Sequence, residues 1–214
     1  MSRPEPAGII FDFGGVLWNM RWDVCRDLES THGLPDGAIV RTLYGSDAWR
    51  GVERGRGDLD AWREEAHRAL EALAARALPR LHDLWRAAQA PIVENIALVR
   101  TLRPPYWLAI LSNADRTLWE RLRDRVAIHD LFDDIVCSAE VGIAKPEPGI
   151  YALASERLRL PPEACVFVDD HEPNVRAAEA AGLAAVLHRI DRGDDLRAQF
   201  AAMGIRPRLS LVER

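Results

Sequence analysis

Lysine is nearly missing from this chain. Of its 28 basic residues, Lys145 is the one lysine and the rest are arginine. Arginine serves wherever a generic surface cation is wanted, so the lone ammonium calls for a reason of its own. Basic charge is not in excess either, because 33 acids leave a formal net charge of -5. That balance gives no broad field for a nucleic-acid backbone, and no nucleic acid is expected as a partner. Long apolar runs are absent too. No stretch reaches the roughly 18 consecutive apolar residues of a membrane span, so no membrane partner is expected. The opening MSRPEPAGIIFDFGG lacks the apolar stretch of a secretory signal, and an aspartate interrupts its first hydrophobic run. Cysteine is scarce: Cys25, Cys137 and Cys165 are odd in number and far apart. They argue against a disulfide framework or a zinc site and for reduced thiols in a cytoplasm. Cys137 and Cys165 lie inside apolar runs and read as small buried hydrophobes.

What is present fits a folded α/β protein. The chain has 214 residues, 48% of them hydrophobic and 29% charged. That suits one domain of ordinary size, or one carrying a smaller inserted module. Five short apolar runs predict buried strands, at Ala7–Phe13, Trp107–Asn113, Asp134–Ser138, Ala164–Asp170 and Ala184–His188. Helical patterns lie between the later runs. Asp115–Ile128 repeats Leu118, Leu122 and Val126 at helical spacing, with Asp115 as its N-cap. Pro148–Leu158 opens on a proline, and Glu172–Ala181 ends before Gly182. Alternation of strand and helix from residue 91 onward predicts a Rossmann-like, doubly wound parallel sheet. Residues 18–89 break the rhythm and read as helices over Trp22–His32, Ala38–Tyr44, Leu59–Arg76 and Pro79–Ala88, with Asp58 capping the third. The expected organisation is a core of residues 1–17 and 90–214 with an all-helical cap, 18–89, inserted after the first strand. The tail from Arg206 reads as a short terminal extension.

In an open α/β sheet, ligands bind beyond the carboxyl ends of the strands. The first strand presents Asp12-Phe13-Gly14-Gly15 there. The second presents Ser112-Asn113, the fourth Asp169-Asp170-His171-Glu172, and the loop after the third carries Lys145. Carboxylates gathered this closely repel one another unless a positive charge sits among them. An oxygen-rich site of few carboxylates suits Mg²⁺. One acid can then attack phosphorus and form an aspartyl-phosphate. The metal, the lysine and the Ser/Asn turn would stabilise the phosphoryl oxygens. Blander readings exist for each residue. Asp169 or Asp170 can be a helix N-cap, and Ser112-Asn113 is ordinary turn chemistry. A lone lysine is usually a surface charge, but this chain writes those as arginine, and an ammonium does not substitute for a guanidinium.

Four segments together resemble the haloacid dehalogenase superfamily, in particular its phosphatase-like branch with a helical cap and a paired Asp-Asp fourth motif. They are Ile10-Phe11-Asp12-Phe13-Gly14-Gly15-Val16-Leu17, Leu108–Ala114 ending in Ser112-Asn113-Ala114, Ser138–Pro148 with Lys145-Pro146, and Val166–Val175 with Asp169-Asp170. The resemblance covers nearly the whole chain and implies roles position by position. Asp12 would be the nucleophile and a metal ligand, and Gly14 would lend the metal its backbone carbonyl. Gly14, Gly15, Ser112, Asn113 and Lys145 would bind the phosphoryl group, Lys145 also bridging to the nucleophile. Asp169 and Asp170 would hold Mg²⁺, and Asn174 would support them. The implied activity is a Mg²⁺-dependent phosphohydrolase acting on a small phosphorylated metabolite such as a sugar phosphate, as a monomer or homodimer.

One departure matters. Most phosphatases of the family carry a second aspartate two residues after the nucleophile, as general acid and base, and this chain has Gly14 there. General acid catalysis supplies about 10²–10⁴-fold, so slow turnover, or substrates with easily released leaving groups, are expected. His171 and Glu172, which follow the metal acids directly, are candidates to supply the missing proton, with a helix start as the blander and favoured reading. Trp18, Trp22, Trp49, Arg21 and Arg50 are candidates to line the substrate pocket, with core packing as the equal alternative, and His32, His67, His82, His129 and His188 show no metal-ligand spacing. Two other functions compete: a metal-independent 2-haloacid dehalogenase using the same Asp12, and a catalytically impaired binding or regulatory protein.

Overall fold

The computed structural model describes residues 4–207. The predicted tail therefore lies, beyond Pro207, outside the described residues. Five strands form one parallel sheet: β1 (Gly8–Phe11), β4 (Trp107–Ser112), β5 (Asp134–Cys137), β6 (Cys165–Asp169) and β7 (Ala184–Leu187), in the order β5-β4-β1-β6-β7. Every pairing is parallel, with Ile9 level with Leu108 on one side and Val166 on the other. Because β1 is central, the chain leaves it toward one edge and later returns to its other side. That reversal opens a crevice at the carboxyl ends of β1, β4 and β6.

Both faces of the sheet are covered, as its continuous apolar strands require. One face packs Ile9, Phe11, Leu108, Ile110, Val166 and Val168 into a core with Leu98, Val99 and Phe200. The other packs Ile10, Ala109, Leu111 and Phe167 against Ile150, Tyr151 and Ala154. Alternate residues of one strand thus feed opposite cores, a consequence of the two-residue period of the pleat. The covering helices include α6 (Val93–Arg100), α9 (Pro148–Arg157), α10 (Glu172–Ala180) and α11 (Leu196–Ala202). Pro148 and Pro173 sit in the first turns of α9 and α10, where the missing N–H has no intrahelical acceptor to lose.

Between β1 and α6 runs a helical layer: α1 (Trp22–His32), α2 (Ala38–Tyr44), α3 (Asp47–Val52), α4 (Leu59–Ala74) and α5 (Leu81–Ala88). Asp58 caps α4 through its side chain to the Ala61 N–H, as its sequence position predicts. The short α3 is an addition to the predicted helices, capped by Ser46 on the Trp49 N–H. These helices have their own core, in which Trp62, Leu70, Leu81 and Trp85 are at most 1% exposed. Where the chain enters and leaves this layer, β2 (Trp18–Asn19) and β3 (Ala90–Pro91) pair antiparallel.

Asp115–Ile128 departs from its expected single helix. Asp115 caps a turn instead, accepting from the N–H and hydroxyl of Thr117. Helix α7 covers only Leu118–Glu120 and passes directly into a π-helical turn over Arg121–Val126. Leu118 and Leu122 are still fully buried, so the hydrophobic period held while the backbone form changed.

Candidate active site

Asp12 leaves the end of β1 with 9% exposure. Its Oδ1 accepts the Phe13 N–H at 2.7 Å, and its Oδ2 lies 2.9 Å from Lys145 Nζ. The same ammonium reaches Asp169 Oδ2 at 2.6 Å from the end of β6. Lys145 is thereby pinned between two carboxylates with its side chain 1% exposed. The loop that carries it is held by Asn113: Asn113 Nδ2 donates to the Lys145 carbonyl at 2.9 Å, and the Lys145 N–H donates to Asn113 Oδ1 at 2.8 Å. The Asn113 side chain is thus committed to positioning Lys145. Asp169 also accepts the His171 N–H and both oxygens receive Asn174 Nδ2, at 3.2 and 3.0 Å. Asn174 in turn is fixed by Tyr151, whose hydroxyl donates to its carbonyl.

Asp12, Asp169 and Asp170 each offer a carboxylate oxygen, and the three oxygens lie within 4.8 Å of one another. Burial, opposed by Lys145 and reinforced by Asp169, pushes the Asp12 carboxyl up to about 7. Burial together with Asp12 and Asp169 does the same to Asp170, also to about 7. For Lys145, burial alone would lower the ammonium, but Asp12 and Asp169 outweigh it and raise it. One lysine against three acids leaves a negative surplus, and among the described residues no hydrogen-bond donor reaches the Asp170 carboxylate. A hard divalent cation with oxygen ligands fits that surplus.

The two glycines after Asp12 do different things. Gly15 has φ 77, and a Cβ there would fall 2.1 Å from Asp170 Oδ2. Only a residue without a side chain lets β1's turn pass so close to that carboxylate. At Gly14 a Cβ would be 3.4 Å from its nearest neighbour, Met20 Sδ. Space for a side chain therefore exists at Gly14.

Above the acids lies a cavity of about 440 Å³. The core lines it with Asp12, Gly14, Ser112, Asn113, Asp170 and His171, and the helical layer with Trp22, Tyr44, Trp49 and Trp62. Of the sequence candidates for this wall, Trp18, Trp22 and Trp49 reach it. Arg21 and Arg50 instead pair with Asp23 and Asp47, and Glu172 pairs with Arg176. The helical layer is tied to the Lys145 loop by Arg54, which bonds Glu53 at 2.6 Å and Glu147 at 2.5 Å. Glu53 also lines the cavity, 3.4 Å from Asn113 Nδ2, and burial raises its carboxyl against the pull of Arg54. Glu53, Tyr44, Trp62, Arg86, Asp115, Arg121 and Arg189 are wall residues that the motifs did not point to. Asp115 carried a signal, as a buried acid three residues beyond Ser112, but it read as a cap.

Comparison with known proteins bears on the family and the fold. The sequence profile of the haloacid dehalogenase-like hydrolases matches residues 6–182. The glyceraldehyde 3-phosphate phosphatase of Methanopyrus kandleri is 36% identical over 124 residues, which are 56% of this chain and about half (52%) of that protein. The fructose-1-phosphate phosphatase YqaB of Escherichia coli is 27% identical over 84% of this chain and 95% of its own. Among solved structures, a haloacid dehalogenase family enzyme of Bacteroides thetaiotaomicron, in complex with magnesium and inorganic phosphate, superposes with a TM-score of 0.69 at 22% identity over 91% of this chain and 99% of that one. An L-2-haloacid dehalogenase superposes with a TM-score of 0.59 at 28% identity over 84% and 83%.

Proposed function

The chain belongs to the haloacid dehalogenase-like hydrolases, and we propose that within that family it is a Mg²⁺-dependent phosphohydrolase of small phosphorylated metabolites. The observation that carries this is the buried Asp12–Lys145–Asp169 chain with Asp170 alongside. Two relatives are named as phosphatases of phosphorylated sugars, and a fold neighbour was solved with magnesium and phosphate.

Asp12, Asp169 and Asp170, with the Gly14 carbonyl, are the residues to hold the cation. When bound, the cation neutralises the acids and draws electron density from the phosphoryl oxygens. Asp12 then presents an ionised oxygen, and it attacks phosphorus as the bond to the leaving oxygen breaks, giving an aspartyl-phosphate. Lys145, held against Asp12 by Asp169, faces the phosphoryl oxygens as their charge shifts. Ser112 and the backbone after it offer donors to the same group. Water next attacks phosphorus, releases phosphate and returns Asp12. The leaving oxygen takes its proton from water, because Gly14 has none to give. Residues 18–89 act as a cap, pivoting on the β2–β3 ribbon and excluding water during the transfer.

The test is release of phosphate from para-nitrophenyl phosphate with and without Mg²⁺, for the natural chain and Asp12→Asn. Activity that needs Mg²⁺ and falls about 10³-fold or more in the variant is expected. Equal rates would sink the assignment. A second reading, halide displacement from a 2-haloacid on Asp12, draws on the dehalogenase fold neighbour. The Asp169–Asp170 pair speaks against it, since that reaction needs no metal. Halide release from chloropropionate that ignores a chelator would revive it.

A further inference from the structure

The cavity holds a second set of charged groups besides the acids. Arg86 of α5, Arg121 of the π-helical turn and Asp115 of the loop after β4 all line it. A guanidinium has five N–H donors, yet among the described residues the Arg121 side chain makes no hydrogen bond at all. Its Nη2 stops 3.6 Å from Asp115 Oδ2, and its Nε and Nη2 are buried without partners. Asp115 gives its Oδ1 to Thr117 and turns only Oδ2 toward Arg121, beyond hydrogen-bond distance. Arg86 lies near enough to oppose the charge on Arg121, and it has no ion-pair partner among the described residues.

These groups stand beside Trp22, Tyr44, Trp49 and Trp62, where the surrounding rings weaken screening. Burying the Nε and Nη2 of a guanidinium without hydrogen bonds is costly, and packing alone would favour an apolar residue there. The backbone is unusual at the same point, because Arg121 begins a π-helical turn, a rare form that recurs at functional positions. Within this group, two cations against one acid leave a single positive charge beside the cavity. A monoanion with two oxygens answers that charge and the idle donors together. A second phosphate, as a dianion, would overshoot the charge and meet Asp115.

We propose that Arg121 and Arg86 form a carboxylate-docking site in the cavity, so that the substrate is a small phosphorylated carboxylic acid rather than a neutral sugar phosphate. This rests on the phosphohydrolase reading. Asp115 backs the guanidinium from the protein side, and the carboxylate meets it from the cavity. The aromatic wall covers the short carbon chain between the two anionic ends.

The probes are 3-phosphonopropionate and propylphosphonate, which differ in having or lacking the far carboxylate. Each is titrated with Mg²⁺ present, and the tryptophans lining the cavity report binding by fluorescence. The carboxylated probe should bind roughly ten- to a hundredfold more tightly, the range for a charge-assisted hydrogen bond. Arg121→Gln, and separately Arg86→Gln, should remove most of that preference while each variant keeps its circular dichroism spectrum. Equal affinities of the natural chain for the two probes overturn the proposal, whether or not the variants fold. So does an Arg121→Gln protein that weakens both probes alike. Turnover of para-nitrophenyl phosphate by the natural chain reads the phosphohydrolase assignment separately. Normal turnover with equal phosphonate affinities sinks only the carboxylate site.

Discussion

Gly14 is the residue where the proposed mechanism is most directly testable. It follows the proposed nucleophile, supplies no proton donor, and leaves 3.4 Å between a built Cβ and Met20 Sδ. Replacing it by aspartate therefore asks for no backbone change, and Met20 has a flexible side chain that can yield. Gly14→Asp should raise kcat for alkyl phosphates by roughly 100-fold, the low end of what a general acid supplies. For an aryl phosphate, whose leaving group needs little protonation, the gain should be small. Stopped-time phosphate assays on both substrate types measure the contrast, and an equal gain on both would show that proton donation is not what glycine withholds. The same scale shows what the sequence made legible. Asp12, Asp169 and Asp170 each sit at or just beyond a strand end, and Lys145 stands in the loop between β5 and α9, inside a short segment that carries its own turn signals. Their convergence followed once the strands were placed. The commitment of Asn113 to the Lys145 backbone was not legible, because one amide serves a turn, a phosphate or a neighbouring loop equally well.

At the scale of elements, the helical layer has a weakness of its own. His82 of α5 is 4% exposed, with its Nε2 3.2 Å from the Thr42 hydroxyl. Burial, with a smaller push from His67, takes its ring down to about 4. The folded layer thus keeps His82 neutral where an unfolded chain would protonate it at its ordinary value of 6.5. Its contribution is whole above that value and is lost as pH falls from 6.5 toward 4. Near-ultraviolet circular dichroism of the tryptophans in this layer should fade over that window, and His82→Leu should flatten the change. An unaltered acid transition in the variant would place the sensitivity elsewhere. The helix predicted over 115–128 shows where element reading failed. Its leucines kept helical period, but Asp115 turned to Thr117 and Arg121 opened a π-turn. Tyr44, Arg86 and Arg121 meet in the cavity from three separate elements, and no local pattern announces such a meeting. The strands were legible because burial on both faces writes continuous apolar runs.

In the whole molecule, the sheet core and the helical layer meet over the cavity with the acid cluster at its floor, and on the proposed reading that cluster links protonation to cation binding. Without the cation, Asp12 and Asp170 take up protons near pH 7, well above their ordinary 3.8. Folding then favours the protonated forms, so their effect on stability is opposite to that of His82. The cation-free protein gains from these two acids below 3.8 and loses that gain as pH rises through about 7. Mg²⁺ must displace those protons, so its affinity should fall about tenfold per competing proton for each pH unit below 7. Calorimetric titration in two buffers of different ionisation enthalpy counts the protons released, and a pH-independent affinity would show that the ion binds elsewhere. The most direct test of the central claim is a crystal structure grown with Mg²⁺ and beryllium fluoride, a mimic of the phosphoryl group. Beryllium should be bonded to an Asp12 oxygen, with Lys145 against its fluorides and the cation touching Asp12, the Gly14 carbonyl and the Asp169–Asp170 pair. Beryllium fluoride bound away from Asp12, or a cation absent from among these acids, would contradict the assignment.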